Sequence, residues 1–181
     1  MADSNITKRA LASSLKTLME DTPFEKIQIG QICERCEMHR KSFYYHFMDK
    51  YDLLNWIFDS EIASYVQMHI DPLDTNQHIQ RMRQAYHYLY ENRDFYRKAL
   101  KIEGQNSFKS HFRDFIQSHI KSQAIYFLYE DLDEFELNVL SDVALSLIEN
   151  WLMDLNCMSP DEMTDRTLRL LNRKYNFITN S

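Results

Sequence analysis

The stretch that decides the fold is residues 27–47, IQIGQICERCEMHRKSFYYHF. It holds two short runs in which apolar residues recur at three- and four-residue intervals, and the runs are separated near residues 36–39. Neither run is long enough to be a stable helix alone, because so short a helix makes too few hydrogen bonds to offset the cost of nucleation. The stretch therefore predicts two short helices that cross steeply and are braced by flanking helices.

The apolar residues of this stretch can turn inward while its basic and aromatic residues face outward. The inward set is Ile27, Ile29, Ile32, Cys33, Cys36, Met38, Phe43 and Phe47, and the outward set is His39, Arg40, Lys41, Ser42, Tyr44, Tyr45 and His46. A compact helix end that offers these outward side chains suits the phosphate-lined major groove of DNA.

The sequence on both sides predicts long amphipathic helices. Two glycines and three prolines in 181 residues leave little turn chemistry, while hydrophobic residues make up 44%. Helices are predicted at about 4–20, 49–70 (ended by Asp71-Pro72), 75–90, 92–102 and 107–128, with two more in the C-terminal part, the last of them starting at Ser159. We expect an all-α protein with a helix-turn-helix head over residues 1–47 and a larger helical body over residues 48–181.

The charge is uneven along the chain. The whole sequence has a net charge of −6, yet residues 1–50 hold eight Lys or Arg against seven Asp or Glu. The acidity therefore belongs to the body, which argues against a protein that coats nucleic acid nonspecifically.

The sequence does not contain the signatures of several other classes of protein. Three cysteines without framework spacing and an N-terminus without an apolar core favour the reducing cytoplasm. No stretch approaches the roughly 18 apolar residues of a membrane span. Nucleophile elbows, zinc-protease motifs and phosphate-cradling glycine loops do not occur, so we expect neither an enzyme nor a cofactor.

The order and spacing of residues 6–58 resemble the TetR family of transcriptional regulators. In that family a recognition helix reads S/T-x-x-x-[FL]-Y-x-[HY]-F and is followed by x-x-K-x-x-L. This chain has HRKSFYYHF over residues 39–47 and then Lys50, Leu53 and Leu54. The segment YYHFMDKYDLLNWIFDSEI is also similar to a subgroup of regulators of dihydroxyacetone-kinase operons.

The resemblance implies roles for individual residues and partners. Arg40 and Lys41 would approach base edges or phosphates with Ser42 beside them, and Tyr44, His46 and Lys50 would contact phosphates. Of these, we expect Arg40 to read bases, because its fork can hold guanine O6 and N7 together. Gln28, which opens the first short helix, is a further expected contact. The resemblance also implies double-stranded operator DNA, a homodimer, a small-molecule effector bound in the body, and more often repression than activation.

Some positions depart from the family pattern. Cys33 and Cys36 stand where alanines are usual, His39 where Ser or Thr is usual, and Tyr51 where an acidic residue is common. Glu37 stands where glycine is usual, so we expect a residue with positive φ at some steric cost in the turn.

The two C-terminal helices carry an apolar stripe wider than one small core needs, so part of it can meet a second chain. The residues expected at a dimer interface are Leu140, Leu147, Trp151, Leu168, Leu171 and Tyr175.

Four alternatives stay open at this point. Cys33-x-x-Cys36 with His39 fits either half of a zinc site or, more readily, two thiols in a small core. His111 and His119, eight residues apart, fit either a metal sensor or ordinary surface histidines. The aromatic residues of the middle helices fit an effector pocket or packed core equally well. Finally, the protein could act by docking onto another regulator instead of binding an operator directly.

Overall fold

The computed structural model describes residues 2–62, 75–104, 107–127 and 132–178, and within them it has nine α-helices and no strand. The helices are α1 (Ala2–Asp21), α2 (Ile29–Arg35), α3 (Arg40–His46), α4 (Lys50–Glu61), α5 (Thr75–Glu91), α6 (Arg93–Leu100), α7 (Phe108–Phe127), α8 (Glu134–Met153) and α9 (Pro160–Ile178). The predicted all-α fold is confirmed.

The predicted head, residues 1–47, is built around α1, which contacts α2 and α3 and also packs on α4, the first helix beyond the head. Leu11 and Leu15 of α1, Ile32 of α2, Phe43 of α3 and Leu53 of α4 are each 0% exposed. These side chains come from all four helices, so each short helix is held by contacts with its neighbours, as its length requires.

The body consists of helix pairs arranged around α6. Helix α5 packs on α9 and α7 packs on α8, while α6 contacts α1, α5, α7 and α8. Phe58 from the end of α4 is inserted among aromatic rings of the body, with centroids 5.5 Å from Phe108, 4.8 Å from Phe112 and 5.0 Å from Phe115. This aromatic packing joins the head to the body through α4.

Polar contacts reinforce the same junction. Glu61 at the end of α4 accepts a hydrogen bond from Lys16 Nζ of α1 at 3.0 Å and another from the Tyr96 hydroxyl of α6 at 3.4 Å. Lys98 Nζ donates to the Met19 carbonyl near the end of α1, and its neighbour Arg97 donates to the Leu152 carbonyl near the end of α8. One short helix therefore caps the C-terminal ends of two longer ones.

Helix starts differ from the sequence prediction where local geometry changes the cap. The sequence Thr22-Pro23-Phe24-Glu25 has the pattern of a cap at Thr22 followed by proline, but Pro23 itself is the residue that precedes a 3-10 turn over Phe24–Lys26. Asn92 stands before α6 as predicted, but its side-chain amide donates to the Tyr88 carbonyl of the preceding helix. The predicted continuation of the α4 helix through residue 70 and its end at Asp71-Pro72 lie outside the described residues.

No helix in the described part of the chain is long and apolar enough to cross a lipid bilayer.

Candidate DNA-binding interface

The helix α3 presents most of its side chains to solvent. Of its seven residues only Phe43 is buried, and its ring meets Phe47, the residue that ends the helix, at 5.7 Å between centroids. Tyr44 is 58% exposed and Tyr45 is 83% exposed. The structure therefore places two large aromatic side chains on an outer face that also carries the basic residues of this helix.

The sequence-predicted contact residues fall into two groups by exposure. Ser42, His46 and Lys50 are half-buried; the exposed residues are Gln28, His39, Arg40, Lys41, Tyr44 and Tyr45. All except Gln28 and Lys50 lie on α3 or at its N-cap, which is His39. Gln28 is the N-cap of α2, and its N–H donates to the Gln31 side-chain oxygen at 2.8 Å.

The turn between α2 and α3 is a Schellman motif. The Met38 N–H donates to the Cys33 carbonyl at 2.9 Å and the Glu37 N–H donates to the Glu34 carbonyl at 3.1 Å, which is the paired bonding that closes such a helix end. Glu37 occupies the left-handed position of the motif with φ of 55°. The expected positive φ is confirmed, and the turn keeps its geometry without glycine.

The two thiols of α2 lie against the core. Cys33 is 2% exposed and burial raises its pKa, while Cys36 Sγ donates to the Ile32 carbonyl at 3.3 Å. Within the described residues, no group of three or more His, Cys, Asp or Glu side chains could hold a metal ion. The thiols act here as small apolar groups under the turn.

Lys50 has an anchoring role that the sequence did not predict. Its Nζ donates to three backbone carbonyls, those of Phe24 at 2.7 Å, Glu25 at 3.0 Å and Ile27 at 2.9 Å. The ammonium also lies 4.6 Å from the centroid of the Phe24 ring, and burial lowers its pKa. All three donors are engaged, so the side chain ties the connection before α2 to the start of α4.

The N-terminus of α4 is closed by carboxylates. Asp49 accepts hydrogen bonds from the N–H groups of Tyr51 and Asp52 at 2.8 and 2.9 Å, and Asp52 in turn accepts from the Met48 N–H at 2.9 Å. The family resemblance implies a phosphate contact for Lys50, the first residue of this helix. Its first-turn donors instead bind an acidic cap, which would repel a phosphate at that point.

Lys8 is a further cation near α3 that sequence reasoning missed. Its Nζ lies 5.6 Å from the ring centroids of both Phe47 and Trp56. The sequence does not indicate this position of Lys8, because it depends on how α1 packs against α3 and α4.

The residues predicted to form a dimer interface differ in how far they are exposed. Leu140, Leu147 and Leu168 are half-buried, Leu171 is 49% exposed, and the Tyr175 side chain lies outside the described residues. Trp151 is only 5% exposed: its Nε1 donates to the Met158 carbonyl at 2.9 Å and its ring packs on Tyr86 and Tyr90. Trp151 therefore belongs to the core of its own body, because periodicity alone cannot tell which side of a helix faces the same chain.

The same two helices, α8 and α9, also carry outward-facing apolar residues. On α8 they recur every four residues, and the full set is Phe135, Val139 and Val143 of α8 with Leu170 and Leu171 of α9.

The histidines of α7 have separate surroundings. His111 Nε2 lies 2.8 Å from the Asp59 carboxylate of α4, and this hydrogen bond raises the His111 pKa. Burial, followed by the charge of His78, lowers the pKa of His119 to about 4. Neither environment supplies a third ligand for a metal among the described side chains.

Comparison with known proteins identifies the body and the fold. Residues 76–173, more than half of the chain, match a TetR-class model described as "Transcriptional regulator C-terminal region". The chain is 28% identical over 103 residues to the HTH-type dhaKLM operon transcriptional activator DhaS of Lactococcus lactis; this match covers 57% of the chain and 54% of that protein.

Two solved structures share the fold over nearly the full length. The structure of the dihydroxyacetone kinase operon activator DhaS has a TM-score of 0.72 at 19% identity and covers 95% of this chain and 97% of its own. NalD, the secondary repressor of the MexAB-OprM multidrug efflux pump in Pseudomonas aeruginosa, has a TM-score of 0.61 at 16% identity over 94% and 96% of the two chains.

Proposed function

Because the chain belongs to the TetR family of transcriptional regulators, we propose that its α2–α3 pair binds operator DNA sequence-specifically. The observation that carries this proposal is the outer face of α3, where Tyr44 and Tyr45 are 58% and 83% exposed beside Arg40 and Lys41. Hydroxyl, imidazole and cationic donors on one short helix are the groups that bind phosphate oxygens and base edges in a major groove.

We propose separate roles for the basic residues and for Tyr44 in this contact. Arg40 reads base edges, while Lys41, Tyr44 and His46 contact phosphates. Lys50 acts by positioning the two helices, since a phosphate contact would require its ammonium to leave three carbonyls 2.7–3.0 Å away.

We propose that the outward apolar face of α8 and α9 mediates a homodimer. Val139 and Val143 are 43% and 50% exposed, and Leu170 and Leu171 are 54% and 49% exposed. Pairing of this face about a two-fold axis would bury it, and the two recognition helices would then enter major grooves about 34–36 Å apart on a near-palindromic operator.

We further propose that a small-molecule effector bound by the body changes DNA affinity through α4. This helix is tied to the head by Lys50 and to the body by Phe58, Asp59 and Glu61. An effector that favours one position of α4 would favour one spacing of the two heads, and DNA would alter effector affinity by the same factor.

The sign of regulation has two candidates. Repression is the simpler outcome, since a dimer seated over a promoter excludes polymerase. Activation is favoured by the 28% identity to DhaS, which is an operon activator. Transcription in vitro from the promoter beside the chain's own gene, with and without the protein, distinguishes the two.

Direct DNA binding is tested by fluorescence anisotropy with a labelled duplex from upstream of the chain's own gene, titrated at several salt concentrations. We expect salt-sensitive binding that unlabelled specific duplex displaces better than random duplex. Arg40→Ala should weaken specific binding by about 1–3 kcal/mol and relax base preference. Absence of salt-sensitive binding to any tested promoter, together with tight binding to another regulator, would replace this proposal by a coregulator role.

A further inference from the structure

Gly30 is the second residue of α2, and its backbone gives no reason for glycine. Among the described glycines, Gly104 has a positive φ and Gly30 does not. Alanine is the better helix former at an ordinary helical position. The missing side chain must therefore serve something other than backbone freedom.

The space above Gly30 is occupied by the guanidinium of Arg40. A Cβ at position 30 would lie 2.4 Å from Arg40 Nη2, 3.1 Å from Nε and 3.2 Å from Cζ. Carbon and nitrogen atoms in ordinary contact are roughly 3.5–4 Å apart, so an added methyl would displace the guanidinium by about 1 Å or more. The atom that must move is at the free end of a flexible side chain, so the fold can accept the change.

This contact lies within the surface proposed to bind DNA. Two grooves, of about 440 and 390 Å³, share Gly30 and Arg40 in their lining. The first continues along α2 toward Glu34 and the second toward Tyr44 and Lys50. The Arg40 guanidinium is thus placed beside α2 by the absence of a neighbour's side chain.

We propose that Gly30 is a specificity-determining residue: it lets the Arg40 guanidinium lie against α2 and thereby sets which base the fork of Arg40 meets. The inference rests on the proposed function. A fork that forms two hydrogen bonds with one base depends on orientation as well as charge, so a displacement of about 1 Å should affect discrimination more than overall attraction.

The test is a selection from a randomised duplex library with the full-length protein. The variants are Gly30→Ala, Arg40→Ala, the double variant and Lys41→Ala, which removes the same charge from the adjacent position. Gly30→Ala should melt at or above the parent temperature, yet lose about tenfold or more of the base preference at the operator position that Arg40→Ala also affects. In the Arg40→Ala background, Gly30→Ala should cause no further loss of base preference. Lys41→Ala should keep the base preference of the parent while binding all duplexes more weakly.

The outcomes separate this inference from the function on which it rests. A parent that selects no motif refutes the proposed function and the inference together. A parent with a clear motif that Gly30→Ala leaves unchanged, or changes at a position insensitive to Arg40→Ala, overturns the inference alone. Gly30→Ser carries the same Cβ and must reproduce the shift, which guards against an effect peculiar to one substitution.

Discussion

Glu37 holds the turn between α2 and α3 with φ of 55°, a region where a side chain is sterically costly. It also adds negative charge just after a helix C-terminus, where the helix dipole disfavours an anion. Glu37→Gly should therefore raise the free energy of unfolding by about 0.5–1 kcal/mol, measured by urea denaturation.

Glu34→Gly is the matched control for that change, because it removes the same charge near the same helix C-terminus. Glu34 lies inside α2, where glycine is unfavourable, so this variant should lose about 1 kcal/mol of stability. Equal losses in both variants would show that the positive φ of Glu37 carries no strain.

Lys50 offers a second residue-scale prediction. Lys50→Met keeps the aliphatic stem near Phe24 but leaves the carbonyls of Phe24, Glu25 and Ile27 without the ammonium. We expect a loss of about 1–3 kcal/mol in unfolding free energy by urea denaturation. Lys41→Met, on an exposed position of α3, should change stability by less than about 0.5 kcal/mol. Equal stability of the two variants would contradict the anchoring role.

The same residue shows where sequence reasoning ends. Lys50 was found from the sequence as part of a motif, but its acceptors lie 23 to 26 positions earlier in the chain. Nothing in local spacing pairs a lysine with backbone carbonyls at that separation. Glu37, by contrast, was predicted to take positive φ because it stands where the family pattern has glycine, and a Schellman turn requires that conformation at a single position.

At the scale of helices, α4 and α7 are linked by His111 and Asp59. The hydrogen bond to Asp59 raises the His111 pKa, with smaller contributions from the charges of Asp59 and Asp114. A pKa raised on folding gives stability that is complete below the unfolded value of about 6.5 and is lost as pH rises through the folded value. The parent should therefore exceed Asp59→Asn in melting temperature by more at about pH 5.5 than at about pH 8.5.

Asp94→Asn is the control for this pH dependence. Asp94 is an exposed carboxylate paired with Arg97 at 3.2 Å, and arginine does not titrate in this range. Its effect on melting temperature should be the same at both pH values. A constant difference for Asp59→Asn as well would mean that the His111 charge does not contribute to the α4–α7 contact.

Helix boundaries were predicted best where a cap is encoded locally. Helix α9 begins at Pro160, and the Ser159 hydroxyl accepts from the Glu162 N–H at 3.2 Å, as the Ser-Pro-Asp-Glu sequence indicates. Thr22 looked equally suited to cap a turn, yet Pro23 precedes the 3-10 turn. The carbonyls of Phe24 and Glu25 in that turn accept hydrogen bonds from Lys50, a tertiary contact that local spacing does not predict.

For the whole molecule, the proposed dimer is tested by charge on the outward apolar face. Val143→Glu places a carboxylate on α8 where the native side chain is 50% exposed. It should give a folded monomer by sedimentation velocity that no longer binds a palindromic operator, because a charge buried at the interface is costly. Leu155→Glu makes a similar change at a residue 85% exposed beyond the end of α8 and should leave the dimer intact. A dimeric Val143→Glu protein would move the interface elsewhere.

Trp151 illustrates the limit of sequence at this scale. Its place on the apolar stripe suggested a dimer contact, but its indole is held by Met158 and by the rings of Tyr86 and Tyr90. A stripe wider than one core needs predicts a second partner for it, without indicating which residues contact the chain's own core and which contact that partner. The packing of Tyr86 and Tyr90 of α5 against Trp151 assigns this residue to the chain's own core.

The adjacent residues Arg97 and Lys98 have a consequence for local unfolding. Arg97 closes the end of α8 and Lys98 closes the end of α1, so one eight-residue helix fastens the last turns of a body helix and a head helix. Opening of α6 would break the hydrogen bonds of Arg97 and of Lys98 together. In native-state hydrogen exchange, the amides of those two distant turns should therefore behave as members of a single cooperative unit, exchanging with a common free energy of opening.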